Sequence, residues 1–269
     1  MSLLQAIVLG IVQGVTEFIP VSSSAHLVLV PWLLGWESPG LVFDTVVHWG
    51  TLVAVVGYFW RDWVELIAAW LRGLVRWDWH EPQARLMWLI ILGTLPAVVI
   101  GFALEDLFES LFGRPVWVIA FLFVTAGLLA VSERLSERTR RLGDLRWGDA
   151  LAIGLGQAAA IAPGISRSGA TISVGLFRGL GREAAARFSF LLSTPVILGA
   201  GLFKLVDLFA APDPMAQVPA LLAGFVAAVV SGYLCIRFLL RYLQRGNLYP
   251  FAIYCVGFGL ACLLAVILL

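Results

Sequence analysis

A chain of 269 residues with 61% hydrophobic and only 13% charged residues is not a soluble domain, in which charged residues usually make up about 25%. Mean hydropathy of +0.94 agrees, and apolar runs near the roughly 20 residues that a helix needs to cross a bilayer recur along the chain. The fold class is therefore all-α integral membrane. A β-barrel would need short alternating segments, which are absent, and a net charge of +1 argues against nucleic acid as a partner.

Residues 4–19 are apolar, stop at Pro20 and are followed by three serines, and residues 25–35 resume the apolar character until Gly35-Trp36. Neither piece reaches the length of a span. Together they predict two short helices around a polar break, a re-entrant hairpin of the kind tolerated only where it is buried in protein or lines a wet cavity. No basic region precedes the first apolar stretch, so it reads as mature structure and not as a signal peptide. Residues 41–60 are expected as the first full span. Residues 61–85, rich in Trp and Arg, are expected at the membrane interface, with His80 solvated. Residues 86–104 form the second expected span, kinked at Pro96. A short acidic loop covers 105–114, and 115–132 are the third span. Residues 133–149 are the most polar segment and carry Arg134, Arg138, Arg140, Arg141 and Arg146.

The pattern then recurs. Residues 150–162 and 168–179 flank a Pro-Gly-Ile-Ser-Arg break as a second hairpin, and 188–208, 218–240 and 250–269 are the fourth, fifth and sixth spans. Arginines concentrate after the first, third and fifth spans and after the second hairpin, so those loops are expected to be cytoplasmic. The first hairpin then enters from the outer face and the second from the inner face. Shifting the chain by 144 residues pairs Gly10 with Gly154, Gln13 with Gln157, Ser22 with Ser166 and Ser24 with Ser168. The expected organisation is a single membrane domain built as an inverted repeat, one copy at about 1–132 and the other at about 148–269, joined by a polar connection at about 133–147. Cys235, Cys255 and Cys262 sit in apolar runs without Cys-x-x-Cys spacing and read as packed thiols.

Polar chemistry gathers in two stretches, 13–26 and 157–171. Glu17 is an ionisable group in an apolar stretch, where a charge costs roughly 2.5–3.5 kcal/mol on insertion scales, so it must face a partner or a wet cavity. His26, Ser22 and Ser23 lie within a few residues, a set suited to nucleophilic or acid–base work. One of Ser22, Ser23 and Ser24 is expected to cap the helix that follows. In the second stretch Ser166-Arg167-Ser168 leads into a helix, and a guanidinium beside hydroxyls and a helix N-terminus matches phosphate. Thr171 either caps or binds. Gln13 and Gln157, one turn before each break, either brace the broken backbone or line the site. Asp44 and His48, one turn apart at the start of the first span, are explained by interfacial solvation or by a place in the site, and Lys204 is expected to snorkel outward.

These stretches resemble the bacterial undecaprenyl-diphosphate phosphatase family, the integral-membrane enzymes linked to bacitracin resistance. The resemblance rests on Gln13-x-x-x-Glu17, Pro20-Val21-Ser22-Ser23 with His26, and Pro163-Gly-Ile-Ser166-Arg167-Ser168-Gly-Ala-Thr171. It extends along the chain, including Phe188-Ser-Phe-Leu-Leu and Pro250-Phe-Ala-Ile-Tyr. It implies hydrolysis of undecaprenyl diphosphate to the monophosphate and phosphate, which recycles the lipid carrier for cell-wall synthesis. It also implies an inverted-repeat fold in the bacterial plasma membrane with the site open to the outer face, and the use of a divalent cation, Mg2+ or Ca2+, with Glu17 as the candidate ligand. Carried over residue by residue, the catalytic set is Glu17, Ser23, His26 and Arg167. The substrate-binding set is Gln13, Ser22, Ser24, Ser166, Ser168 and Thr171, to which Asp44 is added. Gln13 replaces the Glu found in many members, and Asp44 and His48 stand where the family usually has Glu and Gln. The expected partners are the lipid diphosphate and membrane lipid, with a homodimer admitted. Serine, histidine and activated water all stay open as the nucleophile. The alternative function is a polyprenyl-phosphate flippase or a bifunctional protein, because transporters also use inverted repeats and broken helices.

Overall fold

The computed structural model describes residues 1–76, 81–104, 107, 111, 114–204 and 214–268, with the backbone alone at 214–217. His80, most of the acidic loop expected at 105–114, residues 205–208 of the expected fourth span and Leu269 lie outside them. Among the described residues the chain forms eleven α-helices and one short 3-10 turn, with no β-strand. They are α1 (Leu3–Phe18), α2 (Ser23–Leu33), α3 (Gly40–Tyr58), α4 (Trp60–Arg76), α5 (Pro82–Ala103) and α6 (Pro115–Leu135). They continue with α7 (Trp147–Ala159), α8 (Arg167–Phe177), α9 (Arg182–Phe203), α10 (Pro214–Leu243) and α11 (Tyr249–Leu268). The six helices α3, α5, α6, α9, α10 and α11 are long and apolar enough to cross a membrane, as an integral membrane protein requires.

Helix ends follow local chemistry. Ser2 and Gln5 form a capping box at the start of α1, which satisfies donors that the helical ladder leaves open. Proline opens α5 and α6, where its missing N–H costs nothing. Two features differ from the sequence expectation. The stretch from Arg61 contains the amphipathic helix α4, which turns Leu66, Ala69 and Gly73 inward and leaves Val64, Leu71 and Val75 exposed. The fourth span begins at Arg182 and not near 188, because its charges are spoken for: Arg182 pairs with Glu133 and Arg187 with Asp62.

The two broken pairs, α1–α2 and α7–α8, each pack their first helix against the middle span of the other half. A Cβ on Gly10 would lie 2.3 Å from the Gly224 carbonyl oxygen of α10, and one on Gly154 the same 2.3 Å from the Gly93 carbonyl oxygen of α5. The glycines that the 144-residue shift pairs thus make the same kind of crossing, backbone against backbone. Between these crossings lies an apolar core in which Phe18 and Phe190 meet edge to face at 5.3 Å.

One end of the molecule is tied by arginines to two buried carboxylates. Glu133, at the end of α6, accepts from Arg138 and Arg182 and from the Leu248 N–H at the start of α11. Asp149, in the first turn of α7, accepts from Arg140 at 2.6 Å, Arg178 at 2.7 Å and the Arg146 N–H at 2.9 Å. The open ends of α7 and α8 therefore lie at this face. The open ends of α1 and α2 lie at the opposite one, where Met1, Gln5, Trp36, Glu37 and Leu221 border a cavity of about 580 Å³.

Burial alone would push the Asp149 carboxyl up, but the hydrogen bonds from Arg140, Arg178 and the Arg146 N–H outweigh it and hold it at about 2. Its folded value is depressed, so its contribution is complete above the ordinary carboxylate range near 4 and is lost as pH falls towards 2. Asp149→Asn is expected to remove roughly 2 kcal/mol of stability at pH 7. Unfolding in detergent at pH 7 and pH 3 checks this, with the gap between wild type and variant narrowing at the lower pH.

Candidate active site

Each broken pair turns on a short polar tip. In the first, α1 ends at Phe18, Ile19 is extended, and Ser22 caps α2 by accepting from the Ala25 N–H at 3.3 Å. In the second, α7 ends at Ala159, and Gly164 turns the chain with φ of +103°. A Cβ there would meet the Val118 carbonyl oxygen at 2.3 Å, so both conformation and space require glycine. Ser166 then caps α8 by accepting from the Gly169 N–H at 3.0 Å. Thr125 of α6 clamps this turn, donating to the Gly164 carbonyl and accepting from the Ser166 N–H, each at 3.0 Å.

The tips meet. Arg167, the first residue of α8, donates from Nη2 to Glu17 Oε1 at 2.7 Å. Ser23 Oγ donates to Glu17 Oε2 at 2.6 Å, and Gln13 Nε2 donates to the same oxygen at 3.1 Å. Two further bonds join the tips, Ser168 Oγ to the Ile19 carbonyl and the Gly164 N–H to Ser24 Oγ, both at 3.3 Å. Glu17 is buried, with 6% of its side chain exposed, and Arg167 keeps 15%. The opposed charges offset the cost of placing either at this depth.

The sequence-predicted residues divide between a central cluster, the helix caps around it and positions outside both. Glu17, Ser23, Gln13 and Arg167 form one hydrogen-bonded cluster. Ser22, Ser24, Ser166 and Ser168 cap helices or stitch the tips, with Ser22 paired to Ser24 at 3.1 Å and Ser166 to Ser168 at 3.2 Å. Thr171 accepts no substrate-facing role from its bonds: it donates to the Arg167 carbonyl at 2.8 Å and pairs with Ser189 Oγ at 2.6 Å. His26 stands apart from the cluster, bonded through Nδ1 to the Ser22 carbonyl and through Nε2 to Tyr254. Gln13 thus turns to Glu17 and does not brace the break, while both amide atoms of the buried Gln157 lack a partner among the described residues. Asp44 gives its backbone carbonyl to His48 Nδ1 at 2.7 Å, and its buried Oδ1 has no hydrogen-bond partner among the described residues.

Ser189 and Tyr254 escaped the sequence reading as site components, and His48 stood open there between interfacial solvation and a place in the site. His48 Nε2 lies 3.8 Å from Glu17 Oε2, beyond hydrogen-bonding range. That oxygen is already taken by Ser23 and Gln13, so the partly exposed imidazole lies beside the carboxylate without bonding it. Ser189 receives Arg167 Nη1 on its carbonyl at 3.2 Å. Tyr254 holds His26. The signal for His48 was its one-turn spacing from Asp44; for Ser189 and Tyr254 it was only their place in the two extended stretches of the family resemblance.

Two of the five guanidinium N–H groups of Arg167 are spent on Glu17 and Ser189, which leaves three for an incoming anion. The first N–H groups of α8, at Arg167 and Ser168, precede the helical ladder and add a positive dipole end at the same spot. No group of three His, Cys, Asp or Glu side chains among the described residues could hold a metal ion. Glu17 accepts three hydrogen bonds and keeps about one acceptor position free. A divalent cation fits here only as Mg2+ is often held, by one carboxylate with substrate oxygens and water completing the shell.

The model of the bacitracin resistance protein BacA family matches residues 6–261. The chain belongs to that family. Relatives named undecaprenyl-diphosphatase match along nearly the whole length of both chains. The protein of Desulforudis audaxviator is 48% identical over 264 residues, covering 98% of each chain. That of Thermomicrobium roseum is 46% identical over 274 residues, covering 99% of each, and that of Geotalea daltonii is 44% identical over 260 residues, covering 96% of each. The two tips lie within the family match, so the cluster belongs to the shared part of the chain.

Replacing Arg167 by Lys keeps the charge but loses the fork that serves Glu17, Ser189 and an anion together. Arg167→Lys is expected to lower turnover about 100-fold or more, measured as phosphate release from a lipid diphosphate, with the helical circular dichroism unchanged. His48→Ala is expected to raise KM severalfold, about one weak contact's worth, with kcat changed less; equal KM values would remove His48 from the cleft.

Proposed function

We propose that this protein hydrolyses undecaprenyl diphosphate to undecaprenyl phosphate and phosphate. The observation that carries the reading is the joint hold on Glu17, by Arg167 from one tip and by Ser23 from the other. Phosphoryl transfer asks for little covalent help and much positioning and charge stabilisation. A guanidinium with three open donors beside a helix N-terminus supplies both. The full-length match to relatives named undecaprenyl-diphosphatase supports this reading over lipid transport.

Ser23 is the nucleophile that the geometry favours. A carboxylate only accepts, so the Ser23 proton points at Glu17 Oε2 and the oxygen lone pairs face away from it. In the proposed first step Ser23 Oγ bonds to the terminal phosphorus, its proton passes to Glu17, and the bond from that phosphorus to the bridging oxygen breaks. Undecaprenyl phosphate leaves with the bridging oxygen and its electron pair. In the second step water attacks the phosphoserine, the phosphorus–Oγ bond breaks, Ser23 takes back the proton held on Glu17, and phosphate departs with the two protons of the water. Arg167 and the α8 N–H groups hold the phosphoryl oxygens through both steps. A divalent cation, held by Glu17 and the diphosphate, would neutralise charge on the substrate.

The same reading places the arginine-rich face in the cytoplasm of a bacterial plasma membrane, by the positive-inside rule. The site then opens outward, and α1–α2 and α7–α8 are re-entrant hairpins entering from opposite faces. The paired glycine crossings support an inverted repeat with one copy at about 1–132 and the other at about 148–269. The polyprenyl tail would lie along the apolar flank, in lipid.

Purified protein in detergent is expected to release phosphate from farnesyl or undecaprenyl diphosphate. Glu17→Ala, Ser23→Ala and Arg167→Ala should each lose about 100-fold or more, and a rapid acid quench should trap label on Ser23. No release with either Mg2+ or Ca2+ present would sink the phosphatase reading. Full activity in Ser23→Ala would move the attack to water.

A further inference from the structure

The first tip holds a backbone conformation that needs support. Ser22 has φ of 72° and ψ of 97°, and it is one of two non-glycine residues with positive φ among those described. Such a conformation persists only where the surroundings over-determine it. Its carbonyl accepts twice from one residue, from the His26 backbone N–H at 3.3 Å and from His26 Nδ1 at 2.7 Å. A carbonyl oxygen cannot donate, so Nδ1 carries the ring proton. The neutral ring then offers a lone pair at Nε2, and the Tyr254 hydroxyl lies 2.8 Å from it. The ring also lies flat on Phe258, with centroids 4.5 Å apart and planes 6° apart, and is near-parallel to Tyr254 at 9°. The Glu17 carboxylate pairs with Arg167; among the described residues no carboxylate pairs with His26, so the ring has no counter-charge that would favour an imidazolium.

Both nitrogens of His26 are therefore committed, and neither has a lone pair to offer phosphorus. The bonds form a continuous chain: Tyr254 to His26, His26 to the Ser22 carbonyl, and Ser22 through the next peptide to Ser23, whose hydroxyl meets Glu17 at 2.6 Å. We infer that Tyr254 is a positioning residue: it locks His26 in one tautomer, and His26 acts as the strut that keeps Ser22 in its left-handed conformation and Ser23 aimed at Glu17. His26 serves the reaction through geometry and not as the attacking group. Asparagine carries an amide N–H near where Nδ1 lies and can keep the bond to Ser22. Glutamine reaches the Nε2 position instead and cannot. That difference separates a strut from a nucleophile.

The kinetic arm of the test rests on the phosphatase reading; the spectroscopic arm does not. In the full chain in detergent, with histidines labelled with nitrogen-15, the signals absent from His26→Asn report His26. They are expected to show a neutral ring protonated at Nδ1, with Nε2 moving towards its free position in Tyr254→Phe. Tyr254→Phe should lower kcat about tenfold, the rate equivalent of one hydrogen bond, with KM within about twofold. His26→Asn should retain about tenfold more activity than His26→Gln, and adding Tyr254→Phe to His26→Asn should cost nothing further. A ring protonated at Nε2, a trapped phosphohistidine, or a Tyr254→Phe variant unchanged in both rate and spectrum would overturn the inference. A wild type that releases no phosphate would overturn the phosphatase reading alone, since the tautomer is still read from the spectrum.

Discussion

The ion pair between Glu17 and Arg167 is the contact on which the arrangement of this protein depends. Each residue sits at the tip of a broken helix pair, where an unpaired charge would draw a large desolvation cost. Neither tip could stay buried alone. Joined, they neutralise each other and leave donors over, and the surrounding hydroxyls satisfy the backbone that the breaks expose. What permits the polar breaks inside an apolar molecule is thus also what assembles the polar cluster. The site and the solution to the folding problem are one set of bonds.

The opposite requirement, rigidity around the tips, is met far from the cleft. Asp149 and Glu133 gather six arginine contacts or backbone donors at one face and fix the open ends of α7 and α8, the end of α6 and the starts of α9 and α11. Thr125 clamps the second tip from α6, and Tyr254 reaches the first tip from α11. Each tip is therefore held from a span outside its own helix pair, which is how a site built on breaks keeps its geometry.

The helices that cross the membrane and the residues of the two tips were legible in the sequence, because both are local signals. An apolar run of span length announces itself, and so do Glu17 and Arg167 in stretches that should contain no charge. What was not legible depends on pairing across the chain. The start of α9 was misplaced since Arg182 and Arg187 look too polar for a span until Glu133 and Asp62 are brought to them. The segment after Arg61 reads from its Trp and Arg as a connection, and its helical form becomes visible only with the inward face of Leu66, Ala69 and Gly73. Tyr254 and Ser189 sit in ordinary apolar helices, and only the approach of His26 and Arg167 gives them a task.

The glycine crossings set an order on how the protein can be made. α1 is synthesised before the other described helices, yet the span it crosses at Gly224 follows Gly10 by about two hundred residues. Until α10 has been synthesised, the first helix pair has only part of its packing surface, on Phe43 and Val47 of α3, and Glu17 waits without the Arg167 that is encoded some way downstream. A broken, charged helix pair is thus made long before the partners that close its backbone crossing and neutralise its carboxylate. A truncated chain ending before α10 would leave Gly10 without the helix it crosses.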